Sequence, residues 1–283
     1  MVLHSRIQAD ISTRWDQMKS IKRFIQQMGL PWLEKYVPCS FPPKIAVYLH
    51  EVSPTDLPDL VEMVRYIREE GYRFVDVDMY LDPNETKVAW LSFDDNYSNW
   101  VGISPLLRDL GVEATFFVNT CAFRDVASQA EISAYLARLD YWSEPRPQTM
   151  ATSELKRLVA DGHTIGCHSD GHYDLTDLDF DAACNDILLN RQRLTEVVGY
   201  QPSYLAYPYG MPRHFSPQLA RWCEEHGFRR VFSATPGLLH SGTDAFVVPR
   251  TPWRFERGIQ KNISDLGIDG RLFTKLTGRS IIG

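Results

Sequence analysis

The sequence predicts an α/β chain built on parallel strands joined by helical crossovers, as a barrel or an open sheet, and three observations predict it. Apolar runs of strand length alternate with stretches of helical periodicity from residue 44 onward. Helical stretches stop at Gly71, Gly111 and Gly199. Side chains with chemical potential follow the strand runs, where parallel α/β folds place function.

Residues 1–43 read as a helical or irregular lead-in ending at Phe41-Pro42-Pro43, where two prolines remove donors and enforce extended backbone. Lys44–Leu49 is a short apolar strand candidate, and Leu57–Glu70 carries a helical stripe through Leu60, Val61, Val64 and Ile67. Val88–Phe93 reads as a buried strand, a helix follows to about Leu110, and Glu113–Val118 supplies the next strand. Residues 120–150, with the Pro-rich Trp142–Gln148, interrupt the rhythm as an excursion over one end of the fold. Thr152 or Ser153 can cap a helix to about Asp161, and the strand Thr164–Cys167 leads into His168. Phe180, Ala183, Ile187, Leu188, Leu194 and Val198 define a longer helix over 180–198. Strands near Tyr204–Tyr207, Arg230–Ser233 and Ala245–Val248 and a helix over Pro217–His226 complete the pattern.

The chain has 283 residues and is 44% hydrophobic, enough for one substantial core without disulfide support. Its net charge of −6 and the scatter of its basic residues argue against nucleic acid as a partner. Residues 1–20 mix His4, Arg6, Asp10, Arg14, Asp16 and Lys19 with short apolar groups, so neither an export signal nor a membrane span is expected and the default location is cytoplasmic. Cys39, Cys121, Cys167, Cys184 and Cys223 are odd in number and widely spaced, as suits buried thiols in a reducing compartment.

Five strand ends present polar groups toward one rim: His50, Asp94-Asp95, Asn119, His168 and Tyr209. In Leu91-Ser92-Phe93-Asp94-Asp95-Asn96 the adjacent carboxylates repel and cost desolvation, which a cation or a division of labour would relieve; solvated loop acids or a helix cap are the bland reading. In His168-Ser169-Asp170-Gly171-His172, imidazoles four residues apart can converge on one metal, and with a carboxylate they make a common hydrolytic ligand set.

With Ala206-Tyr207-Pro208-Tyr209-Gly210, these segments resemble the polysaccharide deacetylase superfamily (NodB homology, carbohydrate esterase 4) over roughly residues 44–253. The resemblance implies a distorted (β/α) barrel of about seven parallel strands, with 254–283 as a C-terminal tail. It implies Asp94 as general base and Asp95, His168 and His172 as ligands of a divalent metal. Zn²⁺ is the first candidate, and Co²⁺, Ni²⁺ or Fe²⁺ suit the same ligands. Tyr209 matches the residue whose backbone N–H stabilises the oxyanion. The family's leaving-group histidine normally lies near the end of the domain, yet no histidine follows Trp253. Val47-Tyr48-Leu49-His50 resembles the circularly permuted poly-N-acetylglucosamine deacetylases, where this strand comes first, and makes His50 the expected general acid, with His240 as the alternative. Ala206 stands where the motif often has arginine. Arg250, in Val248-Pro249-Arg250-Thr251-Pro252-Trp253, is the candidate replacement partner for Asp94, or else an ordinary ion-pair residue; Trp253 is an accessory site residue or core.

The implied activity is removal of an acetyl group from an N-acetylated amino sugar or oligosaccharide. Hydrolysis of a cyclic amide or other small C–N substrate and non-catalytic carbohydrate binding are the competing readings. Tyr48, Tyr97, Trp100, Tyr173, Tyr207, Tyr209 and Trp253 are the aromatic candidates for stacking on sugar, and homo-oligomerisation stays open.

Overall fold

The computed structural model describes residues 42–139, 147–239 and 245–271, together with Thr274, Thr277 and Arg279. The lead-in up to residue 41, the centre of the Pro-rich excursion and His240 lie outside the described residues.

Among the described residues, nine strands form one sheet: β1 (Lys44–Leu49), β2 (Arg73–Phe74), β3 (Val88–Asp95), β4 (Ala114–Val118), β5 (Thr164–Cys167), β6 (Tyr204–Ala206), β7 (Arg230–Phe232), β8 (Val247–Val248) and β9 (Thr251–Pro252). Every pairing is parallel, in the order β8-β7-β6-β5-β4-β3-β1-β9, with β2 also against β3. Helices α1 (Leu57–Glu69), α2 (Val77–Leu81), α3 (Trp100–Asp109), α4 (Gln129–Leu136), α5 (Thr152–Ala160), α6 (Phe180–Val198), α7 (Pro217–Glu225) and α8 (Gly258–Asp265) flank it.

The sheet is curled into a distorted barrel, and its seam follows from chain connectivity. The edge strands β8 and β9 lie at opposite ends of the strand order, yet only Pro249 and Arg250 separate them in sequence. Three residue steps from Val248 to Thr251 span at most about 11 Å, so the two edges must approach each other. The seam residue Arg250 is fully buried.

Alternation along the strands sorts the core into two clusters. Ala89, Leu91 and Phe93 face the helices, whereas Val88 and Trp90 face the barrel interior with Phe117, Ala206, Phe232 and Val248. Trp90 stacks on Tyr80 of α2 and tilts against Phe232, and its indole N–H donates to Thr115 Oγ1 at 3.0 Å. Gly166 of β5 makes room for the Phe117 ring, which a Cβ would meet at 2.5 Å. The interior is thus filled from below, and polar groups are left to the mouth.

The sequence expectations hold for the strand and helix order, with three local corrections. Leu188, placed on the apolar stripe of α6, is 39% exposed, and the buried positions there are Ala183, Cys184, Ile187, Asn190, Arg191 and Leu194. Neither Thr152 nor Ser153 caps α5: Ala151 is the N-cap, and Asp125 accepts from Thr152 N–H at 2.9 Å while Glu154 accepts from Ala151 N–H at 2.8 Å. The short β2, α2 and β9 carry too few residues for a period to show. Beyond Trp253, α8 packs back on the core through Ile263. Among the described residues no helix is long and apolar enough to cross a membrane.

One buried histidine outside the mouth gives a stability prediction. His163 takes the Ala114 N–H on Nδ1 at 3.3 Å and lies 3.1 Å from Ser104 Oγ through Nε2. Burial holds its pKa below the usual 6.5 against the pull of Asp161. The unfolded chain therefore takes up the proton first, and this contribution to stability, full above 6.5, is lost as pH falls toward the depressed folded value. Denaturant melts of the metal-free protein should show the stability advantage of wild type over His163→Gln shrinking from about pH 7.5 to about pH 5. A pH-independent difference would contradict the assignment.

Candidate metal centre and its cleft

The mouth of the barrel opens into a cleft of about 660 Å³ lined by His50, Asp94, Asp95, His168, His172, Tyr209 and Trp253, among others. The structure therefore brings seven of the eight sequence-predicted site residues to one surface, and Arg250 lies directly beneath it against Asp94. Asn119, the fifth strand-end group, is fully buried and outside the lining.

Asp94 and Asp95 are consecutive on β3, and an extended strand would send them to opposite faces. Asp94 keeps the inward direction. Asp95 adopts φ of 90°, a conformation rare for a non-glycine residue, and this bend at the strand end brings its carboxylate to the same mouth. Ser169 (62°), His172 (54°) and Tyr209 (60°) share positive φ, so four of the five such non-glycine residues among those described lie at this site.

Asp95, His168 and His172 form the one described cluster of metal-ligating side chains, with one donor atom from each within 4.8 Å of the others. His168 Nε2 and His172 Nε2 stand 3.4 and 3.2 Å from Asp95 Oδ1. All three residues are buried. His168 Nδ1 lies 2.7 Å from the Ala206 carbonyl, which requires the proton on Nδ1 and directs the Nε2 lone pair into the cluster. Tyr97 donates its hydroxyl to Asp95 Oδ2 at 3.0 Å and orients the carboxylate. Asp95 Oδ1 and His172 Nδ1 are buried without a hydrogen-bond partner. A buried carboxylate oxygen facing two imidazole nitrogens calls for a cation or shared protons, so the donor set fits a divalent metal. Protonation strengthens the same contacts in the metal-free chain. Burial alone would raise the Asp95 pKa, but the two imidazoles hold it well below the usual range. Asp95 likewise raises the His168 pKa over the opposing effect of burial, whereas burial lowers that of His172.

Asp94 receives a different cation. Arg250 donates from Nη1 to Oδ1 and from Nη2 to Oδ2, both at 2.7 Å, and from Nη1 to Ser92 Oγ at 3.0 Å. Its Nε donates to the Ser233 carbonyl at 3.2 Å. Its guanidinium carbon lies 4.8 Å from the Tyr48 ring centroid and 5.1 Å from that of Phe117. Ala206 is part of the same interior and offers no charge, and the cation beside Asp94 comes from the seam.

His50, half-buried at the end of β1, has its carbonyl fixed by the Trp100 indole at 3.0 Å and its ring edge-on to Tyr48. Tyr209 packs edge-on against His172 and donates its hydroxyl to the Arg138 carbonyl at 3.0 Å. The next residue, Gly210, must be glycine: its φ is 63°, and a Cβ would lie 2.1 Å from that of Ala234. The aromatic candidates divide. Tyr48, Tyr207, Tyr209 and Trp253 line the cleft; Tyr97 and Trp100 are fully buried core, and Tyr173 is exposed outside the lining. Sequence reading missed the charged rim of Glu51, Asp174, Asp177, Arg213, Arg254 and Glu256, where surface charges carry no pattern. It also missed Asn190, whose signal was a polar residue within an apolar helical stripe.

The Asp94–Arg250 pair is buried on both sides, so removing one partner strands a charge. Arg250→Met should cost about 3–5 kcal/mol in denaturant melts, and Asp94→Asn in the same chain should return a large part of that loss. A double-mutant cycle with no coupling would contradict this geometry.

The family model for polysaccharide deacetylases matches residues 82–231. A chitin deacetylase from Pestalotiopsis sp. is 32% identical over 120 residues, 42% of this chain and 33% of that protein. An uncharacterized 30.6 kDa protein of Geobacillus stearothermophilus is 27% identical over 156 residues, 54% of this chain and 48% of the relative. The chain thus spans half or less of the length of these curated relatives. Among solved structures, Streptococcus pyogenes deacetylase PplD in complex with acetate shares the fold with a TM-score of 0.61 at 17% identity, covering 81% of this chain and 99% of that one. The family match takes in more than half of the 283 residues, including the Asp94-Asp95 and His168–His172 segments, and the chain belongs to the polysaccharide deacetylase family.

Proposed function

We propose that this protein is a metal-dependent hydrolase that removes the acetyl group from an N-acetylated amino sugar or short oligosaccharide. The observation that carries the reading is that one cleft holds both a buried His-His-Asp donor set and a second carboxylate, Asp94, kept separate from it by its own arginine. A divalent cation held by Asp95, His168 and His172, with Zn²⁺ as first candidate, would supply Lewis-acid polarisation of the acyl carbonyl and of an attacking water.

The protein's own groups divide the remaining work. Asp94 accepts the proton of the attacking water: Arg250 engages each of its oxygens once, fixing the carboxylate plane while leaving lone pairs toward the cleft. The Tyr209 peptide is proposed as the donor to the developing oxyanion, on a loop held rigid by Gly210 and by the bond of the Tyr209 hydroxyl to Arg138. His50 is proposed to donate a proton to the departing nitrogen, since an amide anion is too basic to leave unprotonated. Trp253, whose backbone N–H donates to the Tyr48 carbonyl at 3.0 Å, would give the sugar an apolar wall. The aromatic, open cleft favours a sugar over a small cyclic amide. The four described cysteines are unpaired, which supports a reducing compartment.

Acetate release from N-acetylglucosamine oligomers, with no turnover of cyclic imides or ureides, is the expected result. Asp94→Asn and His50→Ala should each lower kcat by roughly 10²–10⁴-fold while zinc binding, read by calorimetry, is retained. Wild-type kcat in both variants would remove these roles, and sugar binding without turnover under any metal would make the protein a binding module. Stripping the metal with a chelator should abolish turnover, and readdition should restore it.

A further inference from the structure

We infer that Asn190 of α6, with Asn119 at the end of β4, is a positioning residue for the metal: the two side-chain amides hold the His168 peptide so that its imidazole enters the donor set in one orientation. The inference rests on the metal reading above and concerns residues that contact no substrate.

His168 is the first residue beyond β5, whose last ladder pairs, to Val118 and to Leu205, are made at Cys167. Its backbone is buried and has left the sheet, so its N–H and carbonyl need partners from elsewhere. Asn190 Oδ1 accepts the His168 N–H at 3.1 Å. Asn119 Nδ2 donates to the His168 carbonyl and, at 3.0 Å, to that of Ser169. Two side chains thereby continue the ladder by one residue past the end of the strand.

Each amide is itself locked. Asn190 Nδ2 donates to the Val118 carbonyl at 2.9 Å and to Thr120 Oγ1 at 3.1 Å, so its oxygen must face His168. Asn119 spends both N–H groups on the two carbonyls, and its Oδ1 accepts the Tyr135 hydroxyl at 3.0 Å. Both residues are fully buried. One helical turn before Asn190, Asp186 accepts the N–H groups of Asp170 and Gly171 at 3.0 and 3.1 Å. Helix α6 therefore grips three N–H groups of the 168–172 loop from one face. The loop contains two positive-φ residues, Ser169 and His172, and this grip opposes their relaxation to ordinary backbone. With its peptide fixed and Nδ1 tied to Ala206, His168 keeps little freedom to turn its Nε2 away from Asp95.

A merely structural role would lower stability and leave the metal alone. The test is competitive chelator titration of Zn²⁺ together with metal-free melting curves, for wild type, Asn190→Ala, Asn119→Ala and, as control, Ile187→Ala, a core residue on the same helix. The asparagine variants should bind Zn²⁺ about 10–100-fold more weakly, whereas Ile187→Ala should melt earlier with unchanged affinity. Wild-type affinity in either asparagine variant that folds, or an equal loss in Ile187→Ala, overturns the inference. If Asn190→Ala does not fold, Asn119→Ala alone decides. Wild-type protein that takes up no Zn²⁺ overturns the metal reading itself, a result distinct from a wild type that binds and variants that bind equally well.

Discussion

Two neighbouring carboxylates are buried at the floor of one cleft, and the partners each of them needs organise the rest of the site. Asp94 and Asp95 are each about 3% exposed, and neither can rely on water for compensation. The structure separates their solutions. Asp94 is neutralised by a guanidinium that cannot lose its charge, and Asp95 faces two imidazoles whose contacts fit a metal or shared protons. Because the two acids have different partners, the proposed roles of proton acceptor and metal ligand fall on separate groups.

That separation depends on the barrel seam. Arg250 reaches Asp94 from the two-residue linker that joins β8 and β9, the opposite edges of one sheet, at the seam. Tyr48 and Phe117 supply aromatic faces to the guanidinium, and Ser92 and Ser233 accept two further bonds, so the buried charge has partners on several sides. The metal side depends on the neighbouring strand ends and on α6, which together hold a strained backbone in place. The seam thus supplies the partner of Asp94, while the donor set comes from the ends of β3 and β5.

Positive φ at Asp95, Ser169, His172 and Tyr209 shows what the site costs the backbone. A regular strand end would direct alternate side chains to opposite faces, and the ligands would not converge. The compensating hydrogen bonds come from Asn119, Asn190, Asp186 and the Arg138 carbonyl, none of which touches the reacting atoms. Of these, Asn119 was legible as a strand-end group, whereas Asn190, Asp186 and Arg138 lie in no motif that marks them.

Periodicity, glycine stops and two short motifs were enough to determine the strand and helix order, the parallel sheet and the Asp94, Asp95, His168 and His172 constellation, because these are local patterns a few residues long. His50 and Tyr209 were legible as strand-end groups, and the structure brings both to the cleft; their chemical roles stand as proposals. Tertiary structure alone decided that Arg250 pairs with Asp94, since 156 residues separate them and no local pattern records a contact across a seam. It also decided that Tyr97 and Trp100 are buried although they sit beside the motif, and that Asn190 in the middle of a helix holds the peptide of His168 in the loop after β5. Local sequence specifies which backbone and which chemical groups are available, but burial and partner choice depend on which elements the closing sheet brings together.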